Sequence, residues 1–148
     1  MEIKNNDLKN LFSFADTIIP ADENMPSASE IISVEDLKWL LEKTQKYSNP
    51  LKECLDFVKK EPATRVVGGV QELTEIHRIE ILNLMQAIIP EQFVFFIEVI
   101  YLLYYSKNQV HEVIGWTPDE SLEENKLNPF DESILENIKK REPFWKKV

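Results

Sequence analysis

Two carboxylates in apolar surroundings, Asp16 and Glu98, are the side chains whose position could support chemistry. Burial raises the pKa of a carboxyl group unless hydrogen bonds stabilise its charge, and a carboxyl group perturbed in this way is a candidate acid or base. The structural alternative, which we favour, is that Asp16 caps or supports the segment at 20–33. In the same alternative, Glu98 pairs with a base such as Arg78 or Lys107.

Histidine and cysteine offer little for a metal or a nucleophile. His77 and His111 lie on separate predicted helices, and neither has a second His or Cys three or four residues away. A zinc site needs several such ligands. The single cysteine, Cys54, excludes an internal disulfide and stands among apolar residues, so we expect a buried, inert thiol. We therefore predict no catalytic residues, no metal site and no bound cofactor.

Nucleotide and haem signatures are also missing. The only adjacent glycines, Gly68-Gly69, lack the spaced third glycine of a dinucleotide-binding fingerprint. The Cys-x-x-Cys-His pattern that attaches c-type haem is not found in the sequence. A hinge or a turn into a helix explains Gly68-Gly69 better than a nucleotide-binding loop does.

Helix start and stop signals divide the chain clearly. Asp7 is predicted to cap a first helix to about Ile19, and Pro20 ends it because the residue before a proline is pushed out of the helical region. Residues 20–33 are predicted to form a loop. Further helices are predicted over about 33–44, 49–60, 72–89, 91–106, 108–114 and 131–141. Gly115 is a suitable C-terminal stop for the sixth of the seven.

The helix predicted at 91–106 is apolar on almost every side and should be central. Its apolar run is shorter than the roughly 20 residues of a membrane span, so we read it as a core helix. No alternating segment predicts a convincing strand. We therefore predict an all-α fold, a compact single-domain bundle of five to seven helices over residues 1–148. A basic and aromatic tail should end it near 139–148.

The net charge of the chain argues against two classes of partner, nucleic acids and anionic membranes. The 148 residues include 17 Lys or Arg and 26 Asp or Glu, which gives a formal net charge of −9. Nucleic-acid binding and electrostatic attachment to an anionic membrane both call for a basic surface, so neither is expected. Hydrophobic residues make up 43% of the chain, which argues against a disordered protein.

One segment is similar to a known family. The residues Ala15-Asp16-Thr17-Ile18-Ile19-Pro20-Ala21-Asp22, followed by Pro26-Ser27-Ala28, resemble the gluconate 2-dehydrogenase subunit 3 family. Two later segments are also similar to that family: Tyr104-Tyr105-Ser106 with Ile114-Gly115-Trp116, and the tail Lys140-Arg141-Glu142-Pro143-Phe144-Trp145-Lys146.

The resemblance implies an accessory role. Members of this family are small helical subunits that partner a flavin-containing dehydrogenase of the glucose-methanol-choline type, often together with a cytochrome c subunit. They carry no flavin or haem themselves, and many have a twin-arginine leader and help to export the folded catalytic subunit. The chain as given begins without such a leader, which predicts a cytoplasmic location. The resemblance implies a periplasmic one if a leader has been removed.

A partner surface can be nominated from exposed charge and aromatic anchors. Three acids in the 20–33 segment have no local bases, and three aromatic residues stand beside chain breaks, where helical periodicity does not assign them to a core. The six nominated residues are Asp22, Glu23, Glu30, Trp116, Phe144 and Trp145. The aromatic residues could equally close the ends of the chain's own core, since tryptophan is well buried on average.

Two other functions compete with the accessory role. One is a free-standing helical interaction module that has no dehydrogenase partner. The other is a small enzyme that uses Asp16 or Glu98 together with His77. An adjacent gene for a large flavoprotein would favour the accessory role over the first. A deep pocket lined by His77 and a buried acid would favour the second.

Overall fold

The computed structural model describes residues 4–116, and these residues form an all-α unit, as predicted. The helices are α1 (Asn5–Ile18), α2 (Ala28–Ile31), α3 (Val34–Lys43), α4 (Ser48–Lys60), α5 (Pro62–Val67), α6 (Glu75–Ile88), α7 (Pro90–Tyr105) and α8 (Asn108–Ile114). Two 3-10 turns lie at Gln45–Tyr47 and Val70–Glu72. No strand occurs between residues 4 and 116. The helix predicted at 131–141, the tail at 139–148 and a single domain over 1–148 involve residues outside this range and stay predictions.

Two short helices raise the count above the predicted five to seven. The α2 helix lies within the segment predicted as a loop at 20–33, and α5 lies between the helices predicted at 49–60 and 72–89. The α5 helix exists because Pro62 occupies its first turn, where a missing N–H costs nothing, and the Glu61 side chain caps it by accepting from the N–H of Ala63. Gly68 ends this helix with φ +88°, a left-handed conformation that suits glycine.

Several helix boundaries differ from the predicted ones. The first helix begins at Asn5, and Asp7 is not its cap but a buried carboxylate, with Oδ1 2.8 Å from Lys59 Nζ. Because Gln45–Tyr47 forms a 3-10 turn, α4 begins at Ser48 and not at Asn49. The turn at Val70–Glu72 likewise delays α6, whose cap is Thr74.

Other boundaries are confirmed. Ser33 and Asp36 form a capping box at the start of α3: the Ser33 hydroxyl accepts from the N–H of Asp36, and the Asp36 carboxylate accepts from the N–H of Ser33. Gly115 follows α8 with φ +68°. The α1 and α6 helices end one residue before the expected positions, because Ile19 and Ile89 precede prolines.

The α7 helix is central, as predicted, and its inner side forms much of the core. Phe96, Val99 and Tyr104 are fully buried, and α7 packs along α4, whose Leu51 and Val58 are fully buried as well. The Phe14 ring of α1 meets Phe96 edge-on, with 6.1 Å between the ring centroids. Although α7 is apolar on almost every side, its other side is exposed, with Val94 and Leu102 among the exposed residues. None of the helices between residues 4 and 116 is long and apolar enough to cross a membrane.

Candidate functional site

Asp16 holds the start of α2 against the end of α1. Its Oδ1 accepts from the backbone N–H of Ser29 at 2.7 Å, and its Oδ2 accepts from the Ser29 hydroxyl at 2.6 Å. A carboxylate with both oxygens hydrogen-bonded in this way is a structural support. The structural interpretation of Asp16 is therefore confirmed.

Two of the three acids nominated for partner contact accept hydrogen bonds from backbone N–H groups. Asp22 Oδ1 accepts from the N–H groups of Asn24 and Met25 at 2.8 and 2.7 Å, and these bonds lower the pKa of the Asp22 carboxyl. Glu30 accepts from the N–H of Ser27 at 2.7 Å, so it helps to begin α2. All three acids, Glu23 included, are exposed. Backbone dipoles thus offset the charges of Asp22 and Glu30 in place of bases.

Tyr104 anchors this loop to α7. Its buried ring carries the hydroxyl to the carbonyl oxygen of Pro26, at 2.7 Å. Burial raises the pKa of Tyr104, with smaller contributions from Tyr105 and from the negative charges of Asp22 and Glu30. Sequence reasoning missed this contact because the two residues lie 78 positions apart. The signal available in the sequence was the pair of hydroxyl groups of Tyr104 and Tyr105 in an otherwise apolar run, since a buried hydroxyl needs a hydrogen-bond partner.

Glu98 pairs with a base, but not with either of the predicted ones. Its Oε1 accepts from the Tyr47 hydroxyl at 2.7 Å and lies 3.2 Å from Lys46 Nζ. The Tyr47 hydrogen bond lowers the pKa of Glu98 most, against desolvation, and Lys46 lowers it further. The 3-10 turn after α3 brings Lys46 and Tyr47 to α7, which local sequence patterns do not reveal.

The two bases named for Glu98 have other partners. Lys107 Nζ bonds to Asp36, which connects the junction of α7 and α8 to the capping box of α3. Arg78 donates to the backbone carbonyl of Ser13 at 3.5 Å. The Arg78 contact joins α6 to α1, and both bases are thus engaged away from Glu98, whose partners are Lys46 and Tyr47.

The histidines and the cysteine have ordinary local contacts. His77 Nδ1 lies 2.9 Å from the Thr74 hydroxyl in the first turn of α6, and the His111 imidazole bonds to the carbonyl oxygen of Tyr105. The part of the chain that the structure describes contains no group of three or more His, Cys, Asp or Glu placed to hold a metal ion. Cys54 is buried, and desolvation raises the pKa of its thiol to about 12, which confirms the expected buried thiol.

The exposed side of α7 forms an apolar groove of about 580 Å³, here called the α7 groove. Its lining between residues 4 and 116 consists of Val94, Ile97, Glu98, Tyr101, Leu102, Tyr105 and Ser106. These positions recur every three or four residues, so they share one face of the helix. Sequence reasoning missed this surface because a helix that is apolar all round looks the same whether one side or both are covered.

The exposed apolar surface extends onto α8, which packs against α7. Val113 and Ile114 are about half exposed, and Trp116 is 51% exposed. The Trp116 ring lies edge-on to the His111 ring, with 4.2 Å between their centroids, and the backbone N–H of Trp116 donates to the carbonyl oxygen of His111. Trp116 therefore does not close the core. Phe144 and Trp145 lie outside the described residues.

The four nominated residues within the described range belong to two different elements that both contact α7. The acids sit on the loop that Tyr104 holds, and Trp116 follows α8. Neither a protein-family model nor a curated protein nor a solved structure matches this chain. What the chain does must therefore be inferred from its own residues and surface.

Proposed function

We propose that the chain is a non-catalytic accessory subunit that docks on a flavin-containing sugar or alcohol dehydrogenase, stabilises it and helps to export it. The exposed apolar surface of α7 and α8 carries this proposal. Soluble monomers rarely expose large contiguous apolar patches, and such patches commonly mark protein contacts. A partner that covers Leu102, Tyr105 and Trp116 would remove this surface from water.

The class of partner comes from the resemblance of residues 15–28 to the gluconate 2-dehydrogenase subunit 3 family. The structure gives that segment a physical role. Asp16 bonds Ser29, Ala28 is fully buried, and the N–H of Ala28 donates to the carbonyl oxygen of Ile19 at 3.1 Å. A corner of this kind supports the fold, which suits a subunit whose contribution is its surface.

In the proposed complex, the subunits have different roles. The flavoprotein oxidises the substrate, and a cytochrome c subunit, which such complexes often contain, receives the electrons. This chain binds the flavoprotein during or after folding. Aromatic side chains are enriched among the residues that dominate binding energy, so Trp116 and the tyrosines of α7 are the expected anchors.

Co-expression with the large flavoprotein encoded by a neighbouring gene tests the proposal. We expect the tagged flavoprotein to retain this chain in equal amounts, and its soluble, flavin-loaded yield to rise when the chain is present. The control is the same flavoprotein expressed alone. If the flavoprotein neither retains the chain nor gains in yield, the proposal is wrong. A free-standing helical interaction module would then be the better description.

A further inference from the structure

Among the lining residues of the α7 groove that lie between positions 4 and 116, one is charged: Glu98, near the middle of the groove. Val94 lies one turn before it and Tyr101 and Leu102 one turn after it. The Glu98 side chain is 38% exposed. Its Oε1 accepts from Tyr47 and Lys46, whereas Oε2 has no hydrogen-bond partner among residues 4–116.

Covering the groove changes the environment of this carboxylate. While the groove is open, water can reach the partly exposed Glu98 side chain. An apolar surface laid over it would remove that water and leave a buried acceptor unpaired, which is costly for a charged group. A partner that fits the groove must therefore bring a donor to Glu98. An arginine is the best suited, because its fork of N–H groups remains charged when buried and matches a carboxylate.

The charges around the groove also favour a basic partner. The α7 and α8 helices carry three acids, Glu91, Glu98 and Glu112, and no lysine or arginine. The nearest bases are occupied: Lys46 pairs with Glu98, and Lys107 pairs with Asp36. A positive side chain on the partner would therefore meet a surface of opposite charge.

The spacing of the lining residues suits a helix. Val94, Glu98, Tyr101 and Tyr105 are separated by four, three and four positions, the pattern of a seam along which two helices pack. Ile97 and Leu102 widen this seam on either side. From Val94 to Tyr105 the seam is roughly 16 Å long at 1.5 Å per residue, which is about three turns of a partner helix.

We propose that the α7 groove binds one amphipathic helix of the flavoprotein partner, whose apolar stripe carries an arginine or lysine opposite Glu98. This inference rests on the proposed function and names the surface that performs it. The apolar residues provide most of the buried area, and the cation selects the helix. A second copy of this chain is disfavoured as the occupant, because it would set one Glu98-bearing acidic surface against another.

Site-specific photo-cross-linking tests which molecule occupies the groove. A photoreactive amino acid replaces Leu102 in the full-length chain, which is co-expressed with the neighbouring flavoprotein. The control places it at Trp39 on α3, which is 61% exposed and distant in sequence. We expect position 102 alone to cross-link a helical peptide of the flavoprotein that contains a basic residue. Cross-links to a second copy, cross-links within the chain, or none in an isolated complex would overturn the proposal.

Substitutions then test the two parts of the recognition. Leu102→Glu should weaken binding to the flavoprotein by at least about 30-fold, since anchors at the centre of an interface typically have effects of that size. Glu98→Gln should weaken it by about 10-fold, and Glu35→Gln on the exposed face of α3 should not change it. Circular dichroism and the melting temperature establish that each variant is folded.

A charge reversal keeps the test decisive if Glu98 variants are less stable. Glu98→Lys should abolish binding, and replacing the cross-linked basic residue of the flavoprotein by glutamate should restore it. Unchanged binding of Leu102→Glu would overturn the groove proposal while the proposed function stands. If the wild-type chain does not bind the flavoprotein at all, both are wrong.

Discussion

The loop between α1 and α3 and the outer face of α7 and α8 are both exposed, yet they use exposure differently. Backbone N–H groups of the loop donate to the carboxylates of Asp16, Asp22 and Glu30, of which Asp16 belongs to α1. On the outer face, Val94, Leu102 and Ile114 are apolar and exposed. The hydrogen bonds to these carboxylates stabilise the conformation of the loop, whereas the outer face leaves apolar area uncovered.

Tyr104 and Tyr105 illustrate the same difference in neighbouring residues of one helix. Tyr104 is fully buried and donates to the Pro26 carbonyl oxygen, and Tyr105 is 48% exposed in the α7 groove. Exposure alone does not identify a partner surface, because Asp22 and Glu30 are exposed and yet already accept backbone N–H groups. We expect the exposed, internally bonded acids of the loop to affect stability when they are replaced, and exposed apolar residues without such partners to affect binding.

The largest expected effect separates the two sides of α7. Phe96→Ala removes a fully buried ring that contacts Phe14, and it should lower the free energy of unfolding by about 3–5 kcal/mol. Leu102→Ala, on the exposed side of the same helix, should change it by less than about 0.5 kcal/mol. Urea denaturation measures both. Equal losses in the two variants would mean that the outer face is packed like the core.

A smaller effect is expected where α1 supports the loop. Asp16→Ala removes two hydrogen bonds to Ser29, and because the charged acceptor is partly exposed, the loss should be about 1–2 kcal/mol. Glu23→Ala, an exposed acid of the same loop, is the control and should have almost no effect on thermal unfolding. The comparison fails if both acids prove equally dispensable.

Acid should weaken the contact between α3 and the start of α8. Desolvation raises the pKa of Asp36, but hydrogen bonds from Lys107 and Ser33 outweigh it and lower the pKa to about 2. Because the folded-state pKa lies below the unfolded value, this stabilisation is complete above about pH 4 and is lost as the pH falls toward 2. We expect about 1–2 kcal/mol, as the pair is partly exposed. Asp36→Asn should remove this contribution, which unfolding curves between pH 5 and pH 2 would measure.

The smallest effect on stability is expected at Trp116. Because its ring is half exposed, Trp116→Ala should change the melting temperature by no more than about 2 °C while it reduces retention by the flavoprotein. Phe14→Ala is the comparison variant, since it should lower stability strongly. A large drop in melting temperature for Trp116→Ala would assign Trp116 to the core after all.

Local sequence signals account for most of the helices and for some of the polar contacts. The capping box of Ser33 and Asp36, the glycine stop at Gly115 and the supporting role of Asp16 all follow from nearby residues. The partners of Glu98, Tyr47 and Lys46, lie 51 and 52 positions away in the sequence, so only the tertiary fold reveals these contacts. Sequence reasoning missed the α5 helix because proline is compatible both with a break and with the first turn of a helix, and Pro62 occupies the first turn, as Pro90 does in α7.

The open side of α7 could not be predicted for a different reason. Apolar periodicity reports which residues avoid water, but it does not report which molecule covers them. A helix with a complete apolar circumference is therefore compatible with a buried core helix and with one that exposes half its surface to a partner. Only the positions of α4, α6 and α8 around α7 distinguish the two arrangements.

The buried Cys54 thiol has a consequence for the redox environments that the protein tolerates. Thiolates, and not thiols, attack disulfides, and a pKa of about 12 leaves roughly one part in 10⁵ ionised at neutral pH. Burial in the core also keeps disulfide-forming enzymes from the sulfur atom. The covalent state of the fold should therefore be the same in a reducing cytoplasm and in an oxidising periplasm. A subunit that accompanies a folded dehydrogenase from one compartment to the other would need a cysteine that stays unmodified in both.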